Sequence, residues 1–150
     1  ALRQLGEKNW NAMSMAEKKS AVENLARVVA GELGLKNPPQ VKFYSSNDRT
    51  YGYFSDSKNA LYINTKYFNP VQGSRPAWVE IVDTVAHEMR HAYQYARVLA
   101  GIQDDVTNSY IHYIPESKYG YYMYRWQPCE ADAFDYGSLW ADLLLRVLGI

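Results

Sequence analysis

Pro76-Ala77-Trp78-Val79-Glu80-Ile81-Val82-Asp83-Thr84-Val85-Ala86-His87-Glu88-Met89-Arg90-His91 is the stretch on which the fold turns. Proline suits a first helical turn, where its missing N–H is not needed. The pattern predicts a helix from Pro76 to about Ala100, with Gly101 as its stop. Trp78, Ile81, Val82, Val85, Met89, Ala92, Ala96 and Leu99 fall on one side, the spacing of a helix that turns one face to a core. His87 and His91 lie away from that side, and Asp83, Arg90 and Arg97 form a polar edge. At about 100° per residue, positions four apart share a face one turn up. Two imidazoles so placed can reach one ion at about 2.0–2.1 Å. Glu88 sits roughly 60–100° around from both, too far to join them and well placed beside a water at the ion. The bland alternative is a chance spacing, but these are two of only three histidines in the chain.

A catalytic zinc takes three protein ligands and keeps one position open. Six residues beyond His91, where one group of zinc enzymes carries a third histidine, this chain has Arg97. His112 is available, yet nothing around it fixes its geometry. Glu130 is the favoured third ligand: Gln127-Pro128-Cys129-Glu130-Ala131-Asp132-Ala133 opens a last helix and brings a carboxylate from elsewhere in the chain. The competing reading of Glu130 is an acid stabilised by the helix dipole. Asp132 and Asp135 read as outer partners of a histidine N–H or as plain surface acids.

Around these motifs the chain is organised simply. Ser14 and Glu17 have capping-box spacing, and Val22, Leu25, Ala26, Val29 and Leu33 follow at helical intervals. The spacing predicts a helix over 14–33, stopped by Gly34 and Asn37-Pro38-Pro39. Val41–Tyr44, Tyr51–Phe54 and Ala60–Ile63 are short aromatic or β-branched runs separated by polar turn formers, which predicts a small, mostly antiparallel meander. Residues 102–127 have no sustained period, so a strand or short helical turns fit there. The last helix is expected from about Pro128 to Leu148, with Leu139, Trp140, Leu143, Leu144, Val147 and Leu148 as its apolar side. That order describes one α+β domain over residues 1–150.

Composition narrows the classes further. Sixteen basic residues balance sixteen acidic ones, so no broad field favours nucleic acid or an anionic membrane. Cys129 is the one cysteine, which excludes an internal disulfide; a thiol nucleophile paired with His112 has no support. No apolar run approaches a membrane span, and no basic start leads into an apolar stretch. A soluble chain is expected, its compartment open. The start at Ala1 suggests a piece trimmed from a longer protein. Fourteen tyrosines, many between Tyr110 and Tyr124, read equally as a binding surface or as a loop packed by its own aromatics.

Ile81 through Gln94 is similar to the active-site helices of the gluzincin branch of zinc metallopeptidases, which join HExxH on one helix to a glutamate on a later one. The likeness is to minimal bacterial and phage-type members, including predicted peptidase domains of polymorphic toxins. Pro128-x-Glu130-x-Asp132-Ala133 resembles their third-ligand helix, and Gly52-Tyr53 through Ile63-Asn64 the strand pair before the active-site helix. The resemblance spans roughly residues 40–145; one departure is Phe134, four residues after Glu130, where the best-known members carry an acid. It implies a zincin-like fold with an active-site helix and a C-terminal third-ligand helix. It also implies one Zn2+ per chain on His87, His91 and Glu130, and Glu88 as general base for peptide-bond hydrolysis. The substrate would be a peptide or protein lying extended along an exposed strand, for which Ala60–Ile63 is the expected edge. Tyr113, His112, Tyr122, Tyr124 and Arg125 are all candidates to contact substrate or an oxyanion, with no choice among them. A toxin-type hydrolase acting on one cellular protein would bring a cognate inhibitor or immunity protein. A catalytically inactive binding module on the same fold is the other alternative.

Overall fold

The computed structural model describes residues 2–150. A single 3-10 turn, Leu2–Leu5, leads into α1 (Glu7–Ala12) and α2 (Met15–Glu32); then come β1 (Gln40–Tyr44), β2 (Gly52–Ser55) and β3 (Ala60–Asn64). After a 3-10 turn at Thr65–Phe68 follow α3 (Ala77–Leu99), α4 (Asp105–Ile111), α5 (Glu116–Tyr119), α6 (Tyr121–Trp126) and α7 (Pro128–Val147). The fold is α+β and mostly helical. No described helix is long and apolar enough to cross a membrane.

Helix α3 is the spine. Pro76 is its N-cap, one position before the expected first turn, and Gly101 ends it with φ at +77°, a conformation glycine adopts without the steric cost of a Cβ. Trp78, Ile81, Val82, Val85, Met89 and Ala92 are buried as the period predicts. Ala96 and Leu99 are not: both are exposed because the last turns of α3 run beyond the core. The α2 prediction holds, with Ser14 and Glu17 forming both hydrogen bonds of a capping box. Residues 2–12 add two short elements whose Leu5 and Trp10 enter the core, the Trp10 Nε1 donating to the Phe68 carbonyl at 3.1 Å.

The sheet departs from the expected meander. Its order is β1-β3-β2, with β1 parallel and β2 antiparallel to β3. Ala60–Ile63 is therefore the central strand, not an edge, and β1 and β2 are the edge strands. The Asn64 side chain fastens the crossing. It is fully buried at the end of β3, accepts from the Ser46 N–H and donates to the Ser46 and Thr50 carbonyls. Those bonds tie the 45–51 loop to the end of β3, the strand that lies between β1 and β2.

Helix α7 packs along α3 through Cys129, Glu130, Ala133, Gly137, Trp140, Ala141 and Leu144. Gly137 permits the approach: a Cβ there would lie 2.9 Å from the Asp83 carbonyl oxygen, too close for a real side chain. Leu139 and Leu143, expected on the apolar side, are 61% and 42% exposed. The apolar stripe of α7 is wider than the face α3 can cover.

Candidate metal centre

His87 and His91 project from α3 and Glu130 from the first turn of α7. All three are buried, and one donor atom from each lies within 4.8 Å of the others. His87 Nε2 is 3.1 Å from Glu130 Oε1, and His91 Nε2 is 3.2–3.3 Å from the two carboxylate oxygens. This buried His-His-Glu group could hold a metal ion. Burial alone would raise the Glu130 carboxyl, but hydrogen bonds from His87 and His91 hold it far below the usual carboxylate range. Burial likewise works against a charged His91, yet the Glu130 hydrogen bond and the Glu88 charge lift it to about 9.

The orientation of His91 is set by a residue the sequence reading did not weigh. Gln94, fully buried one turn further along α3, has Oε1 2.8 Å from His91 Nδ1. Its amide nitrogen donates to the Cys129 carbonyl at 2.8 Å and to Asp132 Oδ2 at 2.9 Å. Both of those groups only accept, so the amide has one orientation, and its oxygen must receive the proton of His91 Nδ1. The Nε2 lone pair is then free for an ion. Asp132 thus reaches the histidine through Gln94, and is itself clamped by Arg90 in two bonds of 2.8 and 3.1 Å. Asp135 is exposed and takes no part. The available signal was positional: a glutamine three residues after His91 shares its face of the helix.

Glu88 lines the same cavity, with Oε2 3.8 Å from His87 Nε2. Burial pushes its carboxyl up, opposed by the neighbouring histidines and the Phe54 backbone N–H. The cavity has a volume of about 420 Å3, and Gly52, Tyr53 and Phe54 of the edge strand β2 form one wall. The expected Ala60–Ile63 edge is one strand further away, so β2 is the strand that meets the site.

The five candidates for substrate or oxyanion contact separate clearly. Tyr113 donates to Glu130 Oε2 at 2.6 Å, a short charge-assisted bond that commits its hydroxyl. Tyr124 lines the cavity and, among the described residues, no hydrogen bond takes its hydroxyl; burial and the nearby Glu130 and Glu88 push the phenol up. His112 and Tyr122 are exposed and line a different depression beside α4 and α6. Arg125 lies over Phe134, 3.9 Å from the ring centre, and does not line the cavity. Phe134 also packs edge-on against His87, ring centres 4.6 Å apart, so an aromatic contact stands where an acid would have been a hydrogen-bond partner. Cys129 is buried with its thiol pushed up to about 11 by burial, which excludes it as a ready nucleophile. No family model, curated protein or solved structure matches this chain.

Proposed function

We propose that the chain is a zinc-dependent peptidase of zincin-like, gluzincin type. The observation that carries this reading is the convergence of His87, His91 and Glu130 donor atoms within 4.8 Å, beside the half-buried Glu88. The donor set fits zinc: tetrahedral ligands about 2.0–2.1 Å from an ion stand about 3.3–3.4 Å apart, close to the 3.1–3.3 Å measured here. Two imidazoles and one carboxylate also suit a catalytic site that keeps a position open. When bound, zinc supplies Lewis acidity and makes a water nucleophilic near neutral pH.

The chain's own groups supply the rest. Glu88 takes the proton of the attacking water and returns it to the leaving amine; its raised carboxyl pKa moves it toward the pH range where both steps are feasible. Tyr124, a neutral donor facing the cavity, stabilises the developing oxyanion. Tyr113 holds Glu130 rather than substrate. An extended peptide lies along β2, whose outer edge has no strand partner among the described residues. A pure binding module has no use for Glu88, a carboxylate kept at a desolvation cost beside another carboxylate.

The test joins metal content to turnover. Purified protein should hold close to one zinc per chain and cleave an unstructured polypeptide. Glu88→Gln should keep zinc and fold while losing about 10²-fold or more in turnover. Turnover within a few-fold of the parent would remove Glu88 from the base role.

A further inference from the structure

We infer that the cleft selects a cationic side chain beside the scissile bond, and that Asp56 is the residue that reads it. The inference rests on the peptidase reading above. Three carboxylates line the cavity, and no lysine or arginine does. Glu130 is engaged by two histidines and Tyr113, and Glu88 stands beside His87. A bound divalent ion would be balanced by those two. Asp56 is different. Among the described residues it is in no ion pair, and its side-chain partner is the Tyr110 hydroxyl at 3.0 Å. Lys58, two residues away, lies over the Tyr62 ring at 5.8 Å, and Tyr62 is no part of the cavity wall.

The carboxylate is held in place as well as left unbalanced. It sits on the turn between β2 and β3, at the end of the strand that walls the cavity. Tyr110 reaches it from α4 and is braced by Tyr95, ring centres 5.8 Å apart, which packs in turn against Phe54 at 6.4 Å. The bond occupies Oδ2 and leaves Oδ1 for a ligand. Around it the walls are Tyr53, Phe54, Tyr110 and Tyr113. Aromatic faces with one fixed, uncompensated carboxylate suit an ammonium or guanidinium group, which gains from both the ring faces and the charge. A carboxylate ligand there would meet the like charge of Asp56. The neighbouring depression, which shares Thr50, Gly52, His87, Glu88 and Tyr124 with the cleft, mixes both signs. Arg49 and Arg75 face Glu80, Asp83 and Glu116 there, and Arg75 is already tied to Glu80 and Asp83 at 2.6 and 2.7 Å.

The experiment uses the zinc-loaded full chain and peptides differing at one position, Lys, norleucine or Glu, moved through the residues flanking the scissile bond. At one flanking position Lys should exceed norleucine in kcat/KM by about tenfold, with Glu poorest. Asp56→Asn keeps an acceptor for Tyr110 and should bring the Lys-to-norleucine ratio close to one. Asp56→Lys should turn the preference toward Glu, a gain that misfolding cannot produce. Equal rates for Lys and norleucine at every position overturn the inference and leave hydrolysis standing, as does a Lys preference that survives in Asp56→Asn. If no peptide is cleaved, the peptidase reading fails, and binding of the same peptides decides this one. Tighter binding of the Lys peptide, lost in Asp56→Asn, sustains the cationic site; equal binding overturns it.

Discussion

Helix α3 and the segment from Ile102 to Glu130 supply most of the polar groups in and around the cavity, by different means, while β2 and its turn add a wall and Asp56. From α3 come His87, Glu88, His91 and Gln94, all within about two turns of one regular helix. From the segment come Tyr110 of α4, Tyr113 of the loop after it, Tyr124 of α6 and Glu130 at the start of α7. In α3 a repeating apolar face fixes which side points at the core, and the two histidines follow on another side. In the segment no such face exists, and position is set by polar contacts between residues far apart in sequence. The buried Gln127 side chain accepts from the Ile114 N–H at 2.9 Å and donates to the Ile114 and Tyr124 carbonyls at 2.8 and 3.0 Å. Ser109 Oγ accepts from the Cys129 N–H, and the Cys129 carbonyl accepts from Gln94. A periodic helix announces its site in sequence; a hydrogen-bonded clamp does not.

The most severe break falls on the joint between the two regions. Glu130→Ala should lower zinc affinity by more than the roughly 10–100-fold expected for an outer partner, and Asp135→Ala should leave it unchanged. A dipole role for Glu130 predicts the reverse pattern: a loss on the order of 0.3–1 kcal/mol in stability with zinc affinity intact. Metal titration of the two variants separates the readings.

Gln94→Leu sharpens the α3 side. It keeps bulk but removes the acceptor that orients His91, and zinc affinity should fall about 10–100-fold. An affinity within twofold of the parent would mean that packing alone orients the imidazole. Gln94 shows how far sequence reaches. The histidine pair and the helix could be argued from spacing, and Glu130 from its place in a helix start and from what a catalytic zinc requires. The relay from Asp132 through Gln94 could not, because it depends on how α7 lies across α3. Sheet order was hidden for the same reason. Three short strands and their turns suit a meander, and the order β1-β3-β2 shows only in the fold, where the buried Asn64 ties the 45–51 loop to the end of β3. The width of α7's apolar stripe misled in the opposite direction, since Leu139 and Leu143 repeat in register but meet no partner.

Gln127→Ala tests the clamp. It orphans the Ile114 N–H and removes donors from two carbonyls, at a cost of about 1–3 kcal/mol. Hydrogen exchange should quicken across residues 105–126 and stay unchanged in α3. Uniform quickening in both regions would show that they unfold as one unit, and the contrast between them would lose its energetic meaning.

The smallest effect belongs to the place where one region hands over to the other. Asp104 caps α4, with Oδ1 accepting from the Thr107 N–H at 2.9 Å, while Oδ2 takes Arg97 Nη2 from the last turn of α3 at 2.6 Å. The Thr107 backbone hydrogen bond, helped by Arg97, holds its carboxyl below the usual value against the burial penalty. A carboxyl depressed in the folded state contributes stability that is complete above its unfolded value of about 3.9. That contribution is lost as pH falls through the lower folded value. Asp104 is exposed and Arg97 only half-buried, so salt and water screen the ion pair and the cap should dominate. Asp104→Asn keeps a cap acceptor and loses the charge; Asp104→Ala loses both. Thermal midpoints at pH 7 should therefore rank parent, Asn, Ala, with the larger step between Asn and Ala. Lowering the pH below 3.9 should shrink the gap between parent and Asn while leaving an Asn-to-Ala gap. If instead the larger step lies between parent and Asn, and disappears in high salt, the joint between the two regions is made by the Arg97–Asp104 charge pair and not by the cap.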